Sequence, residues 1–225
     1  MADHVALITG VGPGLGAALG RRFAAAGMRV ALAARDLERL EAIAADIDGA
    51  TAFACDVTDE DAVAGLVSAV ESRLGPIEVA IHNARAAPAK ASVLEMEADA
   101  LRHHFEISAL GGFLVGREAA RVMVPRGRGA VLFTGATASL RGGNGFAAFA
   151  QGKFALRAIA QSMARELGPK GIHVAHFIID GGIGDADDDS RMKPDAIAET
   201  YFRTYAQDRS SWAFEVDLRP WSETF

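Results

Sequence analysis

Eight residues near the start of the chain, Thr9-Gly10-Val11-Gly12-Pro13-Gly14-Leu15-Gly16, leave few folds open. They follow an apolar run at 5–8 and open a stretch, 15–26, whose apolar residues recur at helical spacing. A glycine turn between a strand and a helix exposes backbone N–H groups at the positive end of the helix dipole and lets a pyrophosphate come close. Glycines also serve simply to build a tight connection, and it is the strand before and the helix after that favour the phosphate reading. Further apolar runs at 29–34, 51–55, 77–81, 130–134 and 171–179 alternate with helical stretches at 37–46, 60–73, 98–124 and 145–167. Strand and helix in alternation predict an α/β fold, a Rossmann-type doubly wound parallel sheet in three layers, α/β/α. No linker cuts the chain, so residues 1–225 are expected to be one NAD(P)-binding Rossmann domain. A glycine- and acid-rich stretch begins a lid-like loop at about 180–210, and an aromatic segment, 211–225, closes the chain.

Composition narrows the partners. With half of its 225 residues apolar and 23% charged, the chain can bury a core. A net charge of −6, with no basic stripe, argues against nucleic acid. No run of about 18 apolar residues predicts a membrane span, and no leader pattern precedes the first strand, so a cytoplasmic location is expected. The lone Cys55 has no intrachain disulfide partner, suits a reducing compartment, and reads as a small buried apolar residue.

The end of the second strand sets cofactor choice. NAD-binding sheets usually carry a carboxylate there for the adenine ribose, whereas this chain has Ala34-Arg35-Asp36. A guanidinium at Arg35 suits a 2′-phosphate, so NADP(H) is favoured over NAD(H), while Asp36 reads as the N-cap of the following helix.

These residues resemble the short-chain dehydrogenase/reductase family over about residues 5–183. The likeness rests on the glycine turn at 9–16, Asp56-Val57 after the third strand, His82-Asn83-Ala84 after the fourth, and Lys153 in the long helix. It implies that Gly10, Pro13, Gly14 and Leu15 surround the pyrophosphate, that Asp56 and Val57 lie along the adenine, and that Asn83, Ala84 and Lys153 hold the nicotinamide ribose. The family's catalytic Tyr-x-x-x-Lys reads Phe149-Ala150-Gln151-Gly152-Lys153 here, its serine aligns on Ala136, and its asparagine aligns on Ser108. Lys153 alone keeps its family identity, with Ser108 as a second candidate catalytic residue and Ala136 and Phe149 as substrate-pocket wall. His82, Arg85 and Asp180-Gly181-Gly182 depart further from the family pattern.

A ring without a proton at 149 directs attention to replacement donors: Thr137 or Ser139 beside Ala136, His82, His176, Tyr201 and Tyr205. For the histidines and tyrosines an ordinary structural role is the stronger reading, while a small loop shift could present Thr137 or Ser139 in place of the family's serine. His103 and His104 point in different directions on a helix, so no metal site is expected. The alanine-rich stretch 145–167 resembles the helix through which family members form homodimers and homotetramers, and the C-terminal aromatics suit either a pocket cover or a subunit interface. The sequence thus favours an NADP(H)-dependent oxidoreductase acting on a small or medium apolar carbonyl-type substrate. Its rival is a catalytically inactive NADP(H)-binding sensor or partner subunit, and a third reading is an isomerase or lyase that keeps its cofactor structurally.

Overall fold

The computed structural model describes residues 4–87, 90–186 and 188–223. Seven strands form a single parallel sheet: β1 (Val5–Thr9), β2 (Arg29–Ala34), β3 (Ala50–Ala54), β4 (Ile77–His82), β5 (Gly129–Thr134), β6 (Ile172–Ile179) and β7 (Glu215–Leu218). Their spatial order is β3-β2-β1-β4-β5-β6-β7, so the chain reverses direction across the sheet between β1 and β4. A crevice opens at such a reversal, beyond the carboxyl ends of the two strands.

The period-2 alternation of the strands builds two cores. Val5 and Leu7 of β1 and Val131 and Phe133 of β5 face one side, while Ala6, Ile8, Ala130 and Leu132 face the other. The first core is closed by α3 (Glu60–Arg73), α5 (Gly111–Met123) and α6 (Ala147–Leu167). The second is closed by α1 (Leu15–Ala25), α2 (Leu37–Ala45) and α7 (Pro194–Tyr205). In α1 the stripe Leu15, Ala18, Leu19 and Phe23 is what enters the core, at the spacing an amphipathic helix requires. Asp36 caps α2 by accepting the N–H of Arg39 at 3.1 Å, the role expected for it.

Three features differ from the sequence reading. The stretch expected as one helix at 98–124 is α4 (Ala98–Phe105) and α5 joined by a π-helical turn, Glu106–Leu110. Residues 194–205, inside the expected lid, are helix α7, whose Ile197, Ala198 and Tyr201 are buried against the second core. Pro194 starts that helix, and its apolar stripe holds it on α1, so the irregular part of the loop ends near residue 193. The aromatic segment contains β7, whose carbonyls and amides continue the ladder from β6. Phe214 packs on the first core and Trp212 stacks on His173 at 4.9 Å, whereas Trp221 is exposed; Phe225 lies outside the described residues.

The exits of β1 and β4 meet very closely. Gly10 has φ +72°, and a Cβ there would stand 2.2 Å from the Cα of Ala84. Gly10→Ala therefore meets both a left-handed backbone and an immovable neighbour, and should lower unfolding free energy by about 2–4 kcal/mol. Urea denaturation measures this, and a loss under about 0.5 kcal/mol would show that the two exits can separate freely.

Candidate functional site

The cavity beyond β1, β4, β5 and β6 has a volume of about 780 Å³. One wall is the glycine turn, with Gly10, Pro13, Gly14 and Leu15 all on its surface. Gly12 and Gly14 have open space where a Cβ would stand, and α1 begins at Gly14 without any side-chain cap. The Ala17 N–H donates to the Gly12 carbonyl at 3.0 Å, while the N–H groups of Leu15 and Gly16 lie ahead of any intrahelical acceptor, and the turn fits a pyrophosphate. Asn83 stitches this wall to the next: its N–H donates to the Thr9 carbonyl at 3.0 Å, and its side-chain amide donates to the Gly10 carbonyl at 3.1 Å. Ala84 lies behind, pressed on Gly10.

The opposite wall comes from the β5 exit and from α6. Ala136, Thr137, Phe146, Phe149 and Lys153 line it, so the structure brings both expected pocket-wall residues together with the expected lysine. Phe149 and Lys153 are one turn apart, and the ammonium sits 5.9 Å from the ring centre. At Gly152, between them, a Cβ would come within 2.7 Å of the His104 carbonyl oxygen, so glycine lets α6 settle against α4. His104 meets Phe149 edge-on at 6.0 Å.

Lys153 is almost wholly buried, and its Nζ donates to the Thr134 carbonyl at 2.7 Å. Burial, with the Arg85 guanidinium nearby, pushes the ammonium down to about 7. Thr134 also shares a hydrogen bond with the Tyr201 hydroxyl at 2.9 Å, and the Tyr201 ring stacks on Phe177 at 3.6 Å. Burial raises the Tyr201 phenol well above its ordinary range, so it holds its proton inside the core.

Most of the other replacement donors are turned away from the cavity. His82 is fully buried and kept neutral down to about pH 3, by burial first and by Lys153 second. Its Nε2–H donates to the Ile107 carbonyl at 3.1 Å, so Nδ1 accepts from the Thr9 hydroxyl at 3.2 Å. His176, held down to about 4 by burial, donates from Nδ1 to Glu215 at 3.3 Å and accepts from the Ser139 hydroxyl at 3.2 Å. Ser139 also accepts the Ala136 N–H at 3.1 Å, which turns it into the core. Thr137 does reach the cavity, but its hydroxyl donates to the buried carboxylate of Asp180. Tyr205 belongs to a different hollow, beside Glu78 and Arg128.

Ser108, the second candidate catalytic residue, is completely buried in the π-helical turn, is not part of the cavity wall, and its hydroxyl has no partner among the described residues. Arg35, Asp56 and Val57 also stand outside the cavity wall, at the exits of β2 and β3. Asp56 accepts the N–H and hydroxyl of Thr58 at 3.0 and 2.8 Å; these bonds, with Arg35 beyond them, hold its carboxyl below its usual range. Among the described residues no group of three or more potential metal ligands converges, and no helix is long and apolar enough to cross a membrane. Sequence reasoning assigned no role to three arginines of the cavity wall, Arg85, Arg141 and Arg191. Their signal was their position, each in a loop that leaves a central strand at its carboxyl end.

Comparison with known proteins agrees with this fold. The short chain dehydrogenase family model matches residues 4–186. Over 172 residues the chain is 31% identical to a (21S)-21-acetoxyl-apo-melianone synthase of Melia azedarach, covering 76% of this chain and 64% of that protein, so it spans less than two thirds of that curated relative's length. A short-chain dehydrogenase from Rhodopseudomonas palustris superposes with a TM-score of 0.87 at 41% identity, over 97% of this chain and 99% of that one. A metagenomic short-chain oxidoreductase crystallised with NADP gives a TM-score of 0.87 at 27% identity, over 98% of both chains.

A buried ammonium without a carboxylate leaves a signature in stability. The unfolded chain keeps Lys153 protonated to about its ordinary pKa and the folded chain releases the proton near 7, so the unfolded state binds more protons between these values. The parent protein should therefore gain stability relative to Lys153→Met as pH rises from about 7 toward 10, by at most about 1.4 kcal/mol per pKa unit. Denaturation midpoints of both proteins across that range test this, and a flat difference would mean that the lysine titrates normally.

Proposed function

The chain belongs to the short-chain dehydrogenase family, and from that membership we propose that it is an NADP(H)-dependent oxidoreductase with an altered catalytic set, acting on a small or medium apolar carbonyl-type substrate. The observation that carries this reading is the cavity itself, which runs from the glycine turn past Asn83 to Lys153 and the Phe146 and Phe149 wall. Gly10, Pro13, Gly14 and Leu15 would hold the pyrophosphate, and Arg35 the 2′-phosphate. Asp56 and Val57 would lie at the adenine, with Asn83, Ala84 and Lys153 at the nicotinamide ribose. When bound, the cofactor supplies or accepts the hydride. Ala136 and Phe149 then form the substrate wall, in the places where the family keeps its serine and tyrosine, and Ser108 stands for its asparagine.

Among those four family positions only Lys153 carries a dissociable proton at the cavity. Its ammonium sets a positive charge beside the place where a carbonyl oxygen gains electron density, while Phe146 and Phe149 give the cavity an apolar wall. Such a site suits acceptors whose charge is delocalised or already positive, such as enones, quinones and imines, better than simple ketones. A homodimer or homotetramer would cover Phe105, Phe113 and Phe154, which α4, α5 and α6 leave exposed.

The rival, a cofactor-binding protein without turnover, draws on one observation: Ser139, His176 and Tyr201 all spend their protons inside the core. Both bind NADP(H), so turnover, followed by loss of nicotinamide fluorescence, separates the two. NADPH should bind more tightly than NADH, and Lys153→Ala should abolish reduction of the enone, quinone and imine panel. The double variant Phe149→Tyr, Ala136→Ser restores a positioned acid and should raise ketone reduction by roughly 10²- to 10⁴-fold. If the double variant alone turns over, the native protein is the sensor.

Lys153 also sets the pH dependence. Its charged form is the minor one above about 7, so reduction should fall as pH rises through that value. A rate that stays level to pH 9 would remove the ammonium from the reaction.

A further inference from the structure

The loops leaving β4, β5 and β6, three adjacent strands, each bring one arginine to the cavity wall: Arg85, Arg141 and Arg191. Lys153 adds a fourth cation from α6, and among the described residues no aspartate or glutamate lines the same wall. Carboxylates lie behind the surface: a Glu223 oxygen stands 3.5 Å from where a Cβ of Gly181 would be. Asp180 is buried, takes the Thr137 hydroxyl, and stands 3.7 Å from both Arg141 and Arg219. Arg191 donates to the Ile183 carbonyl at 2.7 Å.

Arg85 differs from the others. It is exposed at the cavity and forms no hydrogen bond or ion pair with any described residue; the charge it acts on is a like one, Lys153. Two cations that converge in a partly desolvated pocket repel each other, and an anion between them relieves the repulsion. The cofactor's own anions have other hosts in the proposed reading, the uncapped start of α1 and Arg35 at the β2 exit. Arg85 and Arg141 line the same cavity as Ala136, Phe146 and Phe149, and Arg85 stands close enough to Lys153 of α6 to act on its charge.

We infer that the substrate carries a carboxylate, which Arg85 grips through its planar fork with Arg141 beside it, while the apolar body of the molecule lies on Phe146 and Phe149. The substrate class is therefore the oxo- or hydroxycarboxylic acids with an aryl or alkyl body. This rests on the oxidoreductase reading for its chemistry, though not for the binding of the anion. Arg85 stands where the family pattern has glycine, so the grip is a property of this chain.

Equilibrium binding tests it, using benzoylformate and 3-benzoylpropionate against their methyl esters, each with and without NADPH. The acids should bind roughly tenfold or more tightly than the esters, the ratio set by a charge-assisted hydrogen bond. Arg85→Gln should erase most of that preference, Arg141→Gln part of it, and Arg85→Lys should keep a fraction, with folded spectra and NADPH affinity unchanged. Equal binding of acids and esters overturns the inference, as does failure of both acids to bind. A preference that survives in the Arg85→Gln, Arg141→Gln double variant overturns it too. Loss of NADPH affinity in Arg85→Gln would assign the arginine to the cofactor instead. Acids that bind in the expected way, with no NADPH consumed on them or on the enone, quinone and imine panel, would overturn the oxidoreductase reading and leave the carboxylate site standing.

Discussion

The cavity depends on how closely two strand exits approach. Gly10 and Ala84 touch with no room for a methyl group, and Asn83 bonds across the seam through both its backbone and its side chain. This contact lies at the reversal of strand order, where β1 and β4 are neighbours although 72 residues separate Thr9 from Ile81. Because the seam is rigid, the glycine turn and the wall of β5 and α6 face each other across a set distance. A looser seam would leave the phosphate cradle and the lysine as separate features of one sheet.

A second constraint is the disposal of buried polar groups. Tyr201 of α7 reaches Thr134 of β5, whose carbonyl in turn receives Lys153 of α6, so a chain of hydrogen bonds passes through the sheet from one helical layer to the other. His82 and His176 are each bonded at both ring nitrogens and remain neutral. In this network Lys153 is the group whose charged form has a carbonyl and no carboxylate as its partner. A site that concentrates its unbalanced charge on the face open to ligand is organised for a negatively charged visitor.

Much of the fold was legible because its strands are buried on both faces and its helices carry regular apolar stripes. The glycine turn could be placed from its position between a strand and a helix, and Asn83, Lys153, Ala136 and Phe149 from the family pattern that the sequence resembles. What escaped was local and of low periodicity. β7 is a four-residue strand of mixed exposure, Glu215–Leu218, so nothing in its pattern separates it from a loop. Helix α7 follows an acid-rich stretch and shows its apolar stripe only once α1 is there to receive it. Ser108 follows the alignment of the family pattern, yet the π-helical turn at Glu106–Leu110 carries it into the core.

By itself the sequence determined the α/β alternation and the glycine turn at residues 9–16 between a strand and a helix, because each is a matter of residue type and short-range spacing. Tertiary structure alone decided which protons and charges face the cavity. Ser139, His176 and Tyr201 lie close to it along the chain or across the sheet, but each is turned inward by a partner from a distant segment. Arg85, Arg141 and Arg191 are scattered over more than a hundred residues and meet only because β4, β5 and β6 are adjacent and parallel, which sends all three exits to the same edge of the sheet. The direction of a side chain is set by long-range packing, and no local pattern encodes it.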